Sequence, residues 1–194
     1  MTHDGSPGRK IALVTGANKG IGYEIAAQLA GFGMTIVLTA RDAGRREEAA
    51  NRLRATGAEV YPVELDVTKP VTITAAAAYV DAELGRLDVL VNNAGISGDI
   101  ARQAPSAADM DVVREVFETN YFGVVMVTKA MIPLLRRSPE PRIVNVTSGL
   151  GSLTHMSDPD SYMVNLPPSA AYAPAKGALN SVTIQFAKEL RKEN

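Results

Sequence analysis

Five short runs rich in β-branched and aliphatic residues recur along the chain, separated by longer stretches with a helical period. This alternation limits the fold more than any single motif does. The runs are IALVT (11–15), TIVLT (35–39), EVYPVEL (59–65), LDVLV (87–91) and RIVNVT (142–147). Helical periods cover 21–30, 43–55, 71–84, 109–135 and 173–192. Strands that are apolar on both faces and alternate with helices predict a parallel sheet covered on both sides, because each crossover lays a helix on one face. The expected fold is α/β, a doubly wound parallel sheet of Rossmann type, in a single domain over 1–194 with a flexible lead-in at 1–9. Gly33, Gly57 and Gly85 sit where helices should stop. The alanines at 75–78 read as a small-residue packing face. Residues 149–170 have no clear period and carry Pro159, Pro167 and Pro168, with Pro174 just beyond, so they read as a long loop that shapes a binding site.

With 194 residues, 46% of them hydrophobic, a core is affordable, and a formal charge of -1 gives no electrostatic reason to expect a nucleic acid or an anionic membrane as partner. The absence of cysteine removes disulfides and thiolate chemistry, and two histidines, His3 and His155, do not make a histidine-rich metal site. The start, MTHDGSPGRK, is not a signal sequence, and no apolar stretch approaches the ~20 residues of a membrane span. A cytoplasmic protein with small-molecule partners is the expectation.

In open parallel sheets ligands bind beyond the carboxyl ends of the strands. After the first run comes TGANKGIG (15–22), whose glycines bring a helix N-terminus, with free N–H groups and a positive dipole, close to a pyrophosphate. The spacing G-x-x-x-G-x-G differs from G-x-G-x-x-G, and the stretch is not a P-loop. The second run leads into Arg41. With Lys19 it offers two cations to a ribose 2′-phosphate, which favours NADP over NAD, while Asp42 reads as a cap for the next helix. Asp66 and Val67 follow the third run, where a carboxylate can accept from an adenine amino group. Asn92, Asn93, Ala94 and Gly95 follow the fourth, a small turn that lets the backbone pass beneath a ribose. In YAPAK, Tyr172 and Lys176 are four residues apart, so a helix puts them on one face. An ammonium there favours the phenolate.

TGANKGIG, NNAG, Ser148 after the fifth run, and YAPAK together resemble the short-chain dehydrogenase/reductase family, from about Lys10 to the last residue. The stretch VLTARD (37–42) looks like its NADP-preferring, carbonyl-reductase-like members. The resemblance implies a catalytic tetrad of Asn120, Ser148, Tyr172 and Lys176. It implies cofactor contacts from Gly16, Asn18, Lys19, Gly20, Ile21 and Gly22, from Arg41, Asp66 and Val67, and from Asn93, Ala94, Gly95, Tyr172 and Lys176. In the implied mechanism hydride passes between NADP(H) and a carbonyl or alcohol substrate, Tyr172 exchanges the proton, Ser148 holds the oxygen, Lys176 grips the ribose, and Asn120 holds a water. Relatives pair through the helices that start near Asp109 and Tyr172, which implies a homodimer or homotetramer.

Two departures stand out. The link from Ser148 to Tyr172 is longer than the family's usual one, with 158–168 as the inserted part. The chain also stops after the helix that carries Tyr172, whereas family members continue with two more strands, so the C-terminal strands are expected to be missing. A non-catalytic NADP-binding sensor or scaffold is the alternative reading, and a nucleotide-sugar epimerase or dehydratase is a third that Arg41 disfavours.

Overall fold

The computed structural model describes residues 8–191. Most of the expected lead-in at 1–9, and the last expected helical residue, 192, lie outside them. The strands are β1 (Ile11–Val14), β2 (Thr35–Ala40), β3 (Val60–Glu64), β4 (Val89–Asn92) and β5 (Arg142–Asn145). The helices are α1 (Gly20–Gly31), α2 (Ala43–Arg54), α3 (Pro70–Leu84), α4 (Met110–Phe117), α5 (Gly123–Leu135), α6 (Leu153–Ser157) and α7 (Tyr172–Leu190). All strand pairs are parallel, in the order β3-β2-β1-β4-β5. The order reverses between β1 and β4, which opens a crevice at their carboxyl ends.

Alternation along the central strands divides the core into two layers. Ile11 and Leu13 of β1 join Val37, Leu90 and residues of α3 and α5 on one face. Ala12 and Val14 join Ile36, Leu38 and residues of α1 and α2 on the other. Every residue of β1 and β2 is buried, whereas β5 alternates between exposed and half-buried, as an edge strand does. No strand covers the outer side of β5 among the described residues. No helix among them is long and apolar enough to cross a membrane.

The expected helix stops hold, with left-handed glycines at 33, 57 and 85. The alanine face is half of what the sequence suggests: Ala76 is buried and Ala77 packs against the core, while Ala75 and Ala78 are exposed. Two expectations need correction. The single helix over 109–135 is interrupted by a π-turn at Glu118–Phe122. The loop at 149–170 is largely folded, into short 3-10 turns at Gly149–Gly151 and Tyr162–Asn165 with α6 between them. Serines at 148, 152 and 161 each accept a backbone N–H at the start of one of these turns.

Candidate active site

The glycine turn and the NNAG turn are bolted together across the switch point. Thr15 Oγ1 accepts from Asn93 N at 2.9 Å and Ala94 N at 3.0 Å, and Asn93 Nδ2 donates to Thr15 O at 2.9 Å. A Cβ at Gly22 would stand 2.3 Å from Asn93 Nδ2 and 2.6 Å from Gly16 O, so only glycine lets α1 begin this close to β4. Gly16 is left-handed, at φ 63°. The N-terminus of α1 carries no side-chain cap, and its free N–H groups meet a cleft of about 560 Å³.

That cleft gathers all of the expected cofactor contacts: Gly16, Asn18, Lys19, Gly20, Ile21 and Gly22, then Arg41, Asp66, Val67, Asn93, Ala94 and Gly95, and finally Tyr172 and Lys176. It also takes in residues that no motif signalled, notably Arg45, Thr68, Ile96, Ser97, Thr119 and Thr147. Arg45 had a faint signal, as a third cation close behind Arg41. Asp42 is the expected cap, its Oδ1 accepting from Arg45 N at 2.8 Å. Asp66 Oδ1 accepts from Thr68 N at 3.0 Å and Thr68 Oγ1 at 2.7 Å. Burial works to raise its pKa, but those bonds, with Lys69 and Arg41 nearby, outweigh it and hold the carboxylate below its ordinary value.

Of the four expected catalytic residues, two line the cleft. Tyr172 opens α7, and Lys176, one turn later, is buried with Nζ 5.9 Å from the centre of the tyrosine ring. Lys176 Nζ donates to Val146 O at 2.8 Å, and burial pushes its pKa down. Asn120 lies beneath the surface at 1% exposure, inside the π-turn. Its Oδ1 accepts from Ile96 N at 2.9 Å and its Nδ2 donates to Ile96 O at 2.8 Å, which pins the turn after Gly95. A Cβ at Gly95 would meet Asn120 Oδ1 at 3.1 Å and Lys176 Nζ at 3.7 Å, so these groups close round one point. Ser148 is half-buried and is not part of the cleft lining; its Oγ accepts from Leu150 N at 3.2 Å.

The donor set fits a dinucleotide: free helix N–H groups for a pyrophosphate, carboxylate and small-residue turns for the nucleosides, and cations at the far end of β2. The sequence matches the short chain dehydrogenase family over residues 10–194. Similar proteins include the short-chain dehydrogenase anuI of Penicillium roqueforti, 39% identical over 191 residues, covering 96% of this chain and 75% of that protein. Short-chain dehydrogenase/reductase 1 of Saponaria officinalis is 42% identical over 168 residues, 75% of this chain and 55% of its own length. Salutaridine reductase from Papaver somniferum superposes with a TM-score of 0.80 at 33% identity, covering 95% of this chain and 83% of that one. A short chain dehydrogenase/reductase from Burkholderia phymatum in complex with NAD gives 0.83 at 29% identity, with 96% and 62% covered. A metagenomic short-chain oxidoreductase in complex with NADP gives 0.81 at 31%, with 94% and 77% covered. Fold and site define an oxidoreductase of the kind that works with a nicotinamide cofactor. The chain belongs to the short-chain dehydrogenase family.

Proposed function

We propose that the protein transfers a hydride between NADP(H) and a carbonyl or alcohol substrate, with Tyr172 as general acid and base. One observation carries this reading: the glycine turn, the cations Lys19 and Arg41, and the Tyr172–Lys176 pair all line the same cleft. NADP is favoured over NAD because Lys19, Arg41 and Arg45 surround the end of β2 while the carboxylate beside them, Asp42, is engaged as a cap. The name of the similar poppy protein, salutaridine reductase, favours the reductive direction.

The bound nicotinamide supplies the hydride; the protein's part is to orient and to move a proton. Asn120 fixes the backbone of Ile96, which lines the cleft next to Gly95. Tyr172 donates its phenolic proton to the carbonyl oxygen as the alcohol forms, and Ser148 donates a hydrogen bond to the same oxygen. The phenolate left behind lies beside the Lys176 ammonium, which stabilises it until solvent returns a proton. Burial of Lys176 makes that ammonium readier to give up a proton than a surface lysine. The exposed apolar residues Met110, Phe122 and Ile184, on or next to α4, α5 and α7, support pairing of subunits through those helices.

The test is NADPH absorbance with a panel of small to medium apolar ketones and aldehydes. In Tyr172→Phe, turnover should fall about 10²–10⁴-fold with NADPH binding kept; unchanged turnover would remove Tyr172 from the mechanism. A second reading, an NADP-binding sensor or scaffold without turnover, draws on Ser148 being absent from the cleft lining. NADPH binding with no carbonyl reduced would favour it.

A further inference from the structure

Gln103 is completely buried, at 0% exposure, and a buried amide is costly unless its polar atoms are bonded. Its Nε2 donates to Ser97 O at 2.7 Å. Its Oε1 accepts from Ser169 Oγ at 2.6 Å and from Tyr172 N at 3.2 Å, and its backbone O accepts from Ala170 N at 2.8 Å. Ser169 Oγ accepts in turn from Ala171 N at 3.1 Å and Tyr172 N at 2.9 Å. The residue that caps α7, Ala171, has no side chain able to do this, so the N–H of Tyr172 is held from outside the helix, by Ser169 Oγ and by the amide of a residue 69 positions earlier, which Ser169 in turn donates to. A carbonyl such as Ser97 O only accepts and an N–H such as that of Tyr172 only donates, so the amide has one productive orientation.

We infer that Gln103 is the positioning residue for Tyr172, setting the direction in which the phenol enters the cleft and the distance to the opposite wall. Both walls hang on the one amide, because Ser97 and Tyr172 each line the cleft. The loop is closed tightly over it: a Cβ at Gly98 would lie 2.7 Å from Val116 Cγ2 and 3.0 Å from Gln103 Nε2. Below, Val112 and Val116 of α4 pack on Ala175 of α7 and on its cap Ala171, so apolar contact holds the helix in place while Gln103 and Ser169 hold its first turn in orientation. Loss of the amide lets that turn pivot, and the rigid ring carries the error to its oxygen. A misplacement of ~1 Å can cost about 10²-fold in rate without disturbing cofactor contacts elsewhere.

The inference rests on Tyr172 being the acid/base, and the test separates the two. In Gln103→Met, kcat per NADPH-binding site should fall about 10–100-fold, with NADPH affinity unchanged and a larger isotope effect from 4-deuterated NADPH. Ser169→Ala should move the same quantities less, and it decides the matter if Gln103→Met does not fold. In a Tyr172→Phe background Gln103→Met should cost nothing further, because the two act as one unit. In the cofactor-free protein labelled with ring-13C tyrosine, the Tyr172 signal, assigned by its loss in Tyr172→Phe, should shift in both variants. Lower melting temperatures with kcat per site and the Tyr172 signal unmoved would overturn the inference. If Tyr172→Phe turns over normally, the proposed function fails, and the Tyr172 signal alone then judges Gln103: displaced supports it, unmoved refutes it.

Discussion

The place of a charged side chain after β2 is readable because it is set locally: Arg41 and Lys19 need only lie at strand and helix ends to line the cleft, and Asp42 only three residues before the N–H it caps. Each charge-assisted bond to a 2′-phosphate contributes roughly 1.5–3 kcal/mol. Arg41→Ala should therefore weaken NADPH binding about 10–100-fold and leave NADH binding nearly unchanged, as read by fluorescence titration of each cofactor. Gln103 is the opposite case. Its partners are fixed by tertiary folding, with no period, spacing or charge to mark it, and glutamine is ordinarily a surface residue. Asn120 stands between the two: the motif resemblance picks out the position, but the pair of bonds by which its amide holds the backbone of Ile96 is visible only in the fold.

For whole elements, the central strands β1 and β2 were legible because burial on both faces leaves an uninterrupted apolar run, and the observed ends of all five strands fall within a residue or two of the expected ones. The turns at 149–170 were not legible, since segments of three to five residues are too short to show a period and are stabilised by serine caps rather than by an apolar face. The contact of α1 with the NNAG turn is the element-level feature most exposed to a single methyl group. In Gly22→Ala that methyl would have to displace Gly16 O or Asn93 Nδ2, so the glycine turn should shift away from β4. Expected are a destabilisation of about 1–3 kcal/mol by urea unfolding and a loss of NADPH affinity of at least about tenfold, or 1.4 kcal/mol.

At the scale of the molecule, the end of the sheet opposite the cleft is held by one buried carboxylate. Asp88 accepts from Ile11 N at 2.8 Å, Ser138 Oγ at 2.5 Å and Arg86 Nε at 3.2 Å, tying β1, β4 and the end of α5 together. Burial pushes its pKa up, but these bonds outweigh burial and leave it lowered. With the folded value below the unfolded one near 3.9, the stabilisation is complete above that unfolded value and disappears as pH falls through the folded value. Asp88→Asn should cost about 1–3 kcal/mol at pH 7 and should flatten the fall in stability between neutral and acid solution, measured by urea unfolding across that range. The π-turn at Glu118–Phe122 has a consequence of phase. On an uninterrupted helix the buried residues of α5, from Val124 to Leu135, would sit on average about a quarter turn away from Val112 and Val116 of α4. The extra residue offsets that angle, so the buried residues of both helices come to nearly the same side, those of α4 against Ala171 and Ala175 and those of α5 in the core of the sheet. A helical wheel drawn straight through 110–135 therefore scatters what the molecule keeps in line, and alignment with an unbroken helix opens a one-residue gap within 118–122.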